Sequence, residues 1–360
     1  MKYYLSLLII VVLSFSASAQ NVVPFSDFSG FFKSFQNGFF RQIEFQRVRE
    51  FKTGDDVVAY IDYRGNLRVF DGSKPLDISN VQVEYEVSDN LMTWKIGPTL
   101  NLWDGGEIRT LTYFADQYVI RDSLVVFNDT RWNSVNVYYD GEIYELYRSS
   151  GTVSMPDVVG DNIIAFRDNG NFNKVFWKGQ IYDLDVWHDP YAYSAGSDIL
   201  AFNDPINGTF AIFENGEFFD VEDFRMNSYK AGRGFVLYEN MNNDLMMYKG
   251  GETVQLTNFG ADFYKVVDDV AIWTENGFTY GYANGQKIEL AKFIVKGYQM
   301  KNNVIAFTNV MGGVDALIDG KLKTLTNLTN VRYSIHGNAV LLESMNSTFT
   351  LFINGREFRN

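Results

Sequence analysis

Residues Lys301 to Asn327 read KNNVIAFTNVMGGVDALIDGKLKTLTN, and the order of pieces in this stretch decides the fold. An apolar run, Val304-Ile305-Ala306-Phe307, leads into a small-residue turn, a second strand, an Asp-Gly turn and a short third strand. The same order can be laid on the chain ten times. The last bulky residue of the leading strand recurs at Phe25, Tyr60, Trp94, Phe127, Phe166, Phe202, Tyr238, Trp273, Phe307 and Leu342. The turn glycine recurs at Gly38, Gly72, Gly105, Gly141, Gly179, Gly216, Gly250, Gly285, Gly320 and Gly355. Both series advance by roughly 35 residues, a period that marks solenoids, propellers and arrays.

Each piece has a physical reading. The glycine is usually preceded by Asn or Asp, the pair that populates the positive-φ positions of a two-residue hairpin. It joins two strands, here named c and d. The leading strand b is apolar on both sides, as in Val57-Val58-Ala59-Tyr60 and Ile163-Ile164-Ala165-Phe166. Such a strand is covered on both faces, and in an array the cover comes from neighbouring repeats. A looser strand a precedes b, as in Tyr298-Gln299-Met300. Four short antiparallel strands buried on both faces describe a propeller blade. The expectation is an all-β propeller of about 35-residue, four-stranded blades, with nine to ten repeats in one ring. The repeat count is ten copies of b–c–d and nine of a, which leaves two smaller rings or a partial blade open as alternatives.

The repeat, clearest in Gly251 to Asp269 and Lys301 to Thr326, resembles that of TolB-type propellers. It shares the polar turn, the apolar strand with a final aromatic, the Asp-Gly and the Leu-Thr. The Ser-Pro-Asp-Gly of that family is absent; Val267-Asp268-Asp269 stands at one corresponding turn. The resemblance implies a fold and a tendency to bind other proteins, and no catalytic residue.

Residues 1–19 read as a secretory signal, with Lys2, the apolar Leu5 to Leu13, and Ala17-Ser18-Ala19 before Gln20. Residues 20–360 are then one propeller domain, exported to the periplasm or beyond. There is no cysteine, so no disulfide supports the fold. The net charge of −13 argues against nucleic acid and against an anionic membrane surface. After signal cleavage no membrane insertion is expected.

In a blade the b–c and d–a loops share one face, and the a–b and c–d turns share the other. The tight c–d turns make the second face read as plain, whereas the b–c loops vary, which is where binding residues tend to lie. Four tryptophans (Trp94, Trp273, Trp103, Trp177) fit the repeat as packing. Trp132 and Trp187 fall in loops on the variable face, off the template. An indole there can stack on a sugar or anchor a protein interface. Trp132, Trp187, His188, Asp189, Asp168 and Asp204 are therefore the candidate ligand- or partner-binding residues. Asp168-Asn169-Gly170-Asn171 has the composition of a calcium loop but lacks a downstream bidentate Glu, and turn chemistry accounts for it. With two histidines and no cysteine, thiol and Cys/His zinc chemistry are excluded. No cofactor motif and no catalytic set stands out. The expected function is a non-catalytic scaffold for an envelope protein or glycan. The alternative is a polysaccharide-active enzyme with paired carboxylates in the funnel.

Overall fold

The structure, a computed structural model, describes residues 22–156, 158–184, 193–345 and 348–360. It consists of ten antiparallel sheets, nine with four strands and one with three, each in the order a-b-c-d. Blade 9 is representative: strand a is Tyr298–Lys301, b is Val304–Thr308, c is Val314–Ile318 and d is Lys321–Thr326. Blade 1 contains b (Val23–Ser26), c (Phe32–Gln36) and d (Phe39–Glu44). Among the described residues it has no strand a. Strands a of successive blades lie against one another, so they form the inner edge, and the exposed strands d form the rim.

The apolar positions divide into ten clusters, and each cluster joins two consecutive blades. Ile163, Ala165 and Val175 of blade 5 pack on Leu200, Phe202 and Phe213 of blade 6. The decisive cluster joins Val23, Phe25 and Phe35 of blade 1 to Ala339, Leu341, Phe349 and Leu351 of blade 10. The Phe25 and Phe349 ring centroids are 4.4 Å apart. The chain therefore closes into one ring of ten blades by the packing of sheet faces; among the described residues no sheet mixes strands from the two chain ends. Phe166, Phe202 and Phe307 are equivalently buried in three different gaps. Burying side chains of this kind stabilises by about 1.5–3 kcal/mol each. Trp94, Trp103 and Trp273 are buried as the repeat requires, and Trp177 packs on Phe213 while its Nε1 donates to Asp198 at 2.8 Å.

The marked hairpins form as read. Asn37-Gly38, Asp140-Gly141, Asn284-Gly285 and Asp319-Gly320 have both residues at positive φ, the type I′ geometry whose twist suits paired strands. Blade 2 departs from this. Asp71 does not adopt positive φ, and its carboxylate accepts the N–H of Ser73 at 3.0 Å, opening a longer loop before strand d at Leu76–Ser79.

Candidate functional site

The two faces of the ring are built differently. On the face of the b–c and d–a loops, the b–c loops of seven blades (1, 2, 4, 5, 6, 7 and 9) are held by the Asp or Asn side chain that begins them. Asp62 accepts the N–H of Arg64 (2.9 Å) and Asn66 (2.8 Å); Asn240 and Asn309 do the same in blades 7 and 9. These caps satisfy the polar turn within itself and leave its tip free. The tips carry large apolar side chains on all ten blades, among them Phe28, Phe45, Tyr113, Phe259, Val310 and Met345. Phe28, Val310 and Met345 are 80% exposed or more. This crown of isolated apolar tips holds most of the exposed large apolar residues among the described ones.

Trp132 belongs to the crown and is 54% exposed. The Arg131 guanidinium lies 5.1 Å from its ring and 5.5 Å from the ring of Phe114, which comes from the preceding d–a loop. Arg148 approaches the indole from 5.9 Å. The result is an alternating ladder of rings and guanidiniums across the boundary of blades 3 and 4. Asp168 and Asp204 are loop caps. Asp168 accepts from Gly170 N (2.8 Å) and Phe172 N (3.0 Å), and Asp204 from Ile206 N (2.7 Å) and Asn207 Nδ2 (2.8 Å). Trp187, His188 and Asp189 lie outside the described residues.

The opposite face was read as plain, and here the structure corrects the reading. Its a–b turns meet around the axis and form a collar. Backbone N–H groups of one turn donate to the carbonyl of the next: Asp55 to Asp89 (3.0 Å), Asp161 to Gly196 (3.2 Å), Ser197 to Gly232 (3.2 Å) and Asp269 to Asn302 (3.2 Å). The approach is so close that a Cβ at Gly54 would lie 1.9 Å from Ser88 O, and one at Gly196 1.9 Å from Gly232 O. Glycine is required at both positions for want of space.

Charged groups cross this opening. Lys301 Nζ of blade 9 lies 2.8 Å from Asp55 of blade 2 and 2.7 Å from Asp89 of blade 3. Asn302 also donates to Asp55. Arg233 of blade 7 lies 2.8 Å from Asp269 and 3.4 Å from Asp122 of blade 4. His336 of blade 10 approaches Thr53 of blade 2 at 3.5 Å. Apart from Arg233–Asp269, which links neighbouring blades 7 and 8, these contacts join blades that are not neighbours, so the mouth is pinched into a slit. Burial, then Asp161 and Asp89, outweigh Arg233 and push the Asp122 carboxyl up to about 8. Burial, then Asp55 and Asp89, push Asp56 up to about 6. Burial, with help from Lys301, holds His336 down at about 4, as a neutral ring. Among the described residues no group of three His, Asp or Glu side chains is arranged to hold a metal ion.

A sequence signal for the collar existed. Glycine recurs just before the polar a–b turn at Gly54, Gly160, Gly196 and Gly232. Its partners, however, come from turns far apart in the chain, which no single repeat displays.

Comparison with known proteins agrees with this architecture. Among curated proteins nothing matches. Of solved structures, the computationally designed Ika8 protein aligns at 13% identity and a TM-score of 0.37, covering 93% of this chain and 99% of that one. Prp20p from Saccharomyces cerevisiae aligns at 8% identity and a TM-score of 0.33, over 62% of this chain and 81% of its own. The CRINKLY WD40 ectodomain of the Arabidopsis thaliana receptor kinase ACR4 gives 10% identity and a TM-score of 0.30, covering 75% of this chain and 97% of that one. The family model of the 10-bladed beta propeller domain matches residues 16–358, nearly the whole chain, and the protein belongs to that family.

Proposed function

We propose that this protein is an exported, non-catalytic scaffold that binds another envelope protein through the b–c/d–a face. The observation that supports this is the crown, where every blade presents an exposed apolar side chain, in most blades beside a b–c loop capped by its own Asp or Asn. Such tips lose little by being covered. Trp and Arg, the residue types of the Phe114–Arg131–Trp132–Arg148 ladder, are those enriched in interface hot spots. The likeness of the repeats to TolB-type propellers favours a protein partner over a glycan. The experiment is capture from an envelope extract, followed by reconstitution with the purified partner. Trp132→Ala combined with Arg131→Ala is expected to weaken binding at least tenfold, while the rim variant Ile181→Ser leaves it unchanged. Equal binding by all three proteins would refute the assignment.

A second reading is favoured by the raised carboxyls Asp56 and Asp122, since an acid poised near neutrality is what glycoside hydrolysis needs. Against it, Lys301 and Arg233 already occupy the mouth that a saccharide would enter. Hydrolysis of envelope polysaccharides that is lost in Asp122→Asn would support it. Absence of turnover across pH 5–9 would remove it.

A further inference from the structure

The two crown loops that carry Phe114 and Trp132 are tied to each other as well as to themselves. Thr130, the first residue after strand b of blade 4 (Leu124–Asp129), donates its N–H and its Oγ1–H to the carbonyl of Phe114, each at 3.0 Å. Thr112 ends strand d of blade 3 (Glu107–Thr112). It donates its Oγ1–H to Asp129 at 2.6 Å and accepts the N–H of Phe114 at 3.1 Å. The other oxygen of Asp129 accepts the N–H groups of Arg131 (2.9 Å) and Trp132 (3.2 Å). The backbone at Phe114, Arg131 and Trp132 is thereby fixed as one frame, with its three side chains pre-positioned.

What this frame presents is a cation without a counter-ion. Arg131 is exposed, and the carboxylate nearest in sequence, Asp129, is turned to Thr112 and the loop N–H groups. Arg148, the second guanidinium of the ladder, is matched by Glu145 at 2.6 Å. Among the described residues no carboxylate pairs with the Arg131 guanidinium and no acceptor takes its N–H groups; its contacts are the two rings. By contrast Lys33, Arg68 and Lys174, toward the same face, each meet a carboxylate. Attraction to a ring face uses the charge of a guanidinium, while its five donors lie in its own plane and stay available.

We propose that the partner bound at the crown presents an acidic side chain, Asp or Glu, next to an aromatic or aliphatic one. Arg131 takes the carboxylate, and Trp132 and Phe114 cover the apolar neighbour. This deepens the reading of the crown as a protein-docking face and rests on it. Charge complementarity selects the acid, and the planar fork of Arg matches two carboxylate oxygens at once. The hydrogen bonds of the frame favour a peptide over a sugar. Thr112, Asp129 and Thr130 direct their side-chain oxygens to one another and to the backbone, so the hydroxyls of a saccharide would meet few open partners. Tyr113, 65% exposed beside Phe114, extends the apolar surface instead. The chain's net charge of −13 does not forbid an acidic partner, because charges farther than about 8 Å away are largely screened at physiological salt.

The probe is the pentapeptide Gly-Phe-Glu-Phe-Gly, blocked at both ends, with its Gln counterpart as control. Each is titrated into the purified chain while NMR follows the indole N–H of Trp132 and the Nε–H of Arg131; Trp132→Phe identifies the indole signal. The Glu peptide should move both signals and bind about fivefold more tightly than the Gln peptide, the scale of one exposed ion pair. Arg131→Gln should abolish that preference at an unchanged melting temperature. Arg131→Lys keeps the charge without the planar fork and should recover only part of it. Equal affinity for the two peptides, no response to either, or a preference that survives Arg131→Gln would overturn the proposal. Sodium acetate that moves both signals at the peptide's own concentration would reduce the site to one for small anions and overturn the assignment to a peptide. So would a polyuronate oligosaccharide that binds more tightly than the Glu peptide. Failure of the crown reading looks different: the protein carrying Trp132→Ala and Arg131→Ala would capture its envelope partner as well as wild type, whatever the peptides do. A partner lost in that double variant but bound undiminished by Arg131→Gln would keep the crown as the docking face and sink the acidic partner.

Discussion

The collar and the crown are opposite ends of the same ten sheets, and they satisfy their polar groups by opposite means. At the collar each turn depends on its neighbour, or on a blade across the slit, for hydrogen bonds and counter-charges. At the crown most b–c loops close on their own Asp or Asn cap, and apolar side chains face solvent. Interdependence makes the collar costly to alter. Self-sufficiency makes the crown free to vary and to bind. The difference follows from radius: inner turns are crowded together, while outer loops diverge.

The largest consequence concerns lysine. Lys301→Met leaves Asp55 and Asp89 facing each other without their cation, and breaking a buried pair in this way costs about 3–4 kcal/mol. Burial, then proximity to Asp89, outweighs Lys301 and already raises the Asp55 carboxyl, so acid should restore part of the loss by protonating it. Lys174, which bridges Asp168 and Asp183 toward the crown, should lose no more than about 1 kcal/mol as Lys174→Met. Denaturant midpoints at pH 8 and pH 5 measure both. Equal losses would erase the distinction between the two ends.

Glycine gives the next contrast. Gly196→Ala drives a Cβ into a backbone carbonyl 1.9 Å away, and neither strand can retreat without moving its blade. A loss of about 2–3 kcal/mol is expected. Gly208, in a crown loop, has open space around it and is constrained only by a φ of +75°. Gly208→Ala should cost about 1 kcal/mol. Thermal melting of the two variants decides, and similar shifts would mean that the collar accommodates side chains.

The pH dependence of stability separates the ends further. Asp122 holds its proton up to about pH 8 when folded, whereas an ordinary Asp releases it near 3.8. Across that window the folded protein binds the extra proton, so its stability falls as pH rises. Neutral His336 has the opposite sign: between about 4 and 6.5 unfolding takes up a proton, and stability rises with pH. Above pH 6.5 the carboxyl acts without this opposition. Wild-type melting temperature should drop by several degrees between pH 6.5 and 8.5, and Asp122→Asn should flatten most of that drop. An unchanged slope in the variant would show that Asp122 is not the group responsible.

What could be read in the sequence was whatever one repeat carries within itself. Strands b and the Asn-Gly hairpins are local, and ten copies average out the noise of any one. Asp71-Gly72 misled because the pair fits the hairpin pattern while Ser73 offers Asp71 a competing turn. The collar was hidden for a different reason. Lys301 and Asp89 are 212 positions apart, and each alone is an ordinary polar turn residue. They become a site only when the ring closes. Trp132 stood out because tryptophan is rare, whereas Phe28 and Met345 passed as loop residues until their shared face was visible.

The smallest effect tests the self-sufficiency of the crown. Burial alone would raise the Asp62 carboxyl, but hydrogen bonds from Asn66, Gly65 and Arg64 hold it below its ordinary value. A carboxyl depressed in the folded state stabilises above its unfolded pKa, and that contribution is lost as pH falls through the folded one. Asp62→Asn keeps a neutral oxygen for the loop N–H groups but gives up the charge, and about 1 kcal/mol should go at pH 7. In strong acid, where wild-type Asp62 is itself neutral, the two proteins should unfold at the same urea concentration. The crown caps thus weaken in acid, and the collar weakens toward alkali. An Asp62→Asn protein whose alkaline branch also moved would tie the two ends together, because a loop that closes on itself has no means of sensing Asp122 across the length of a blade.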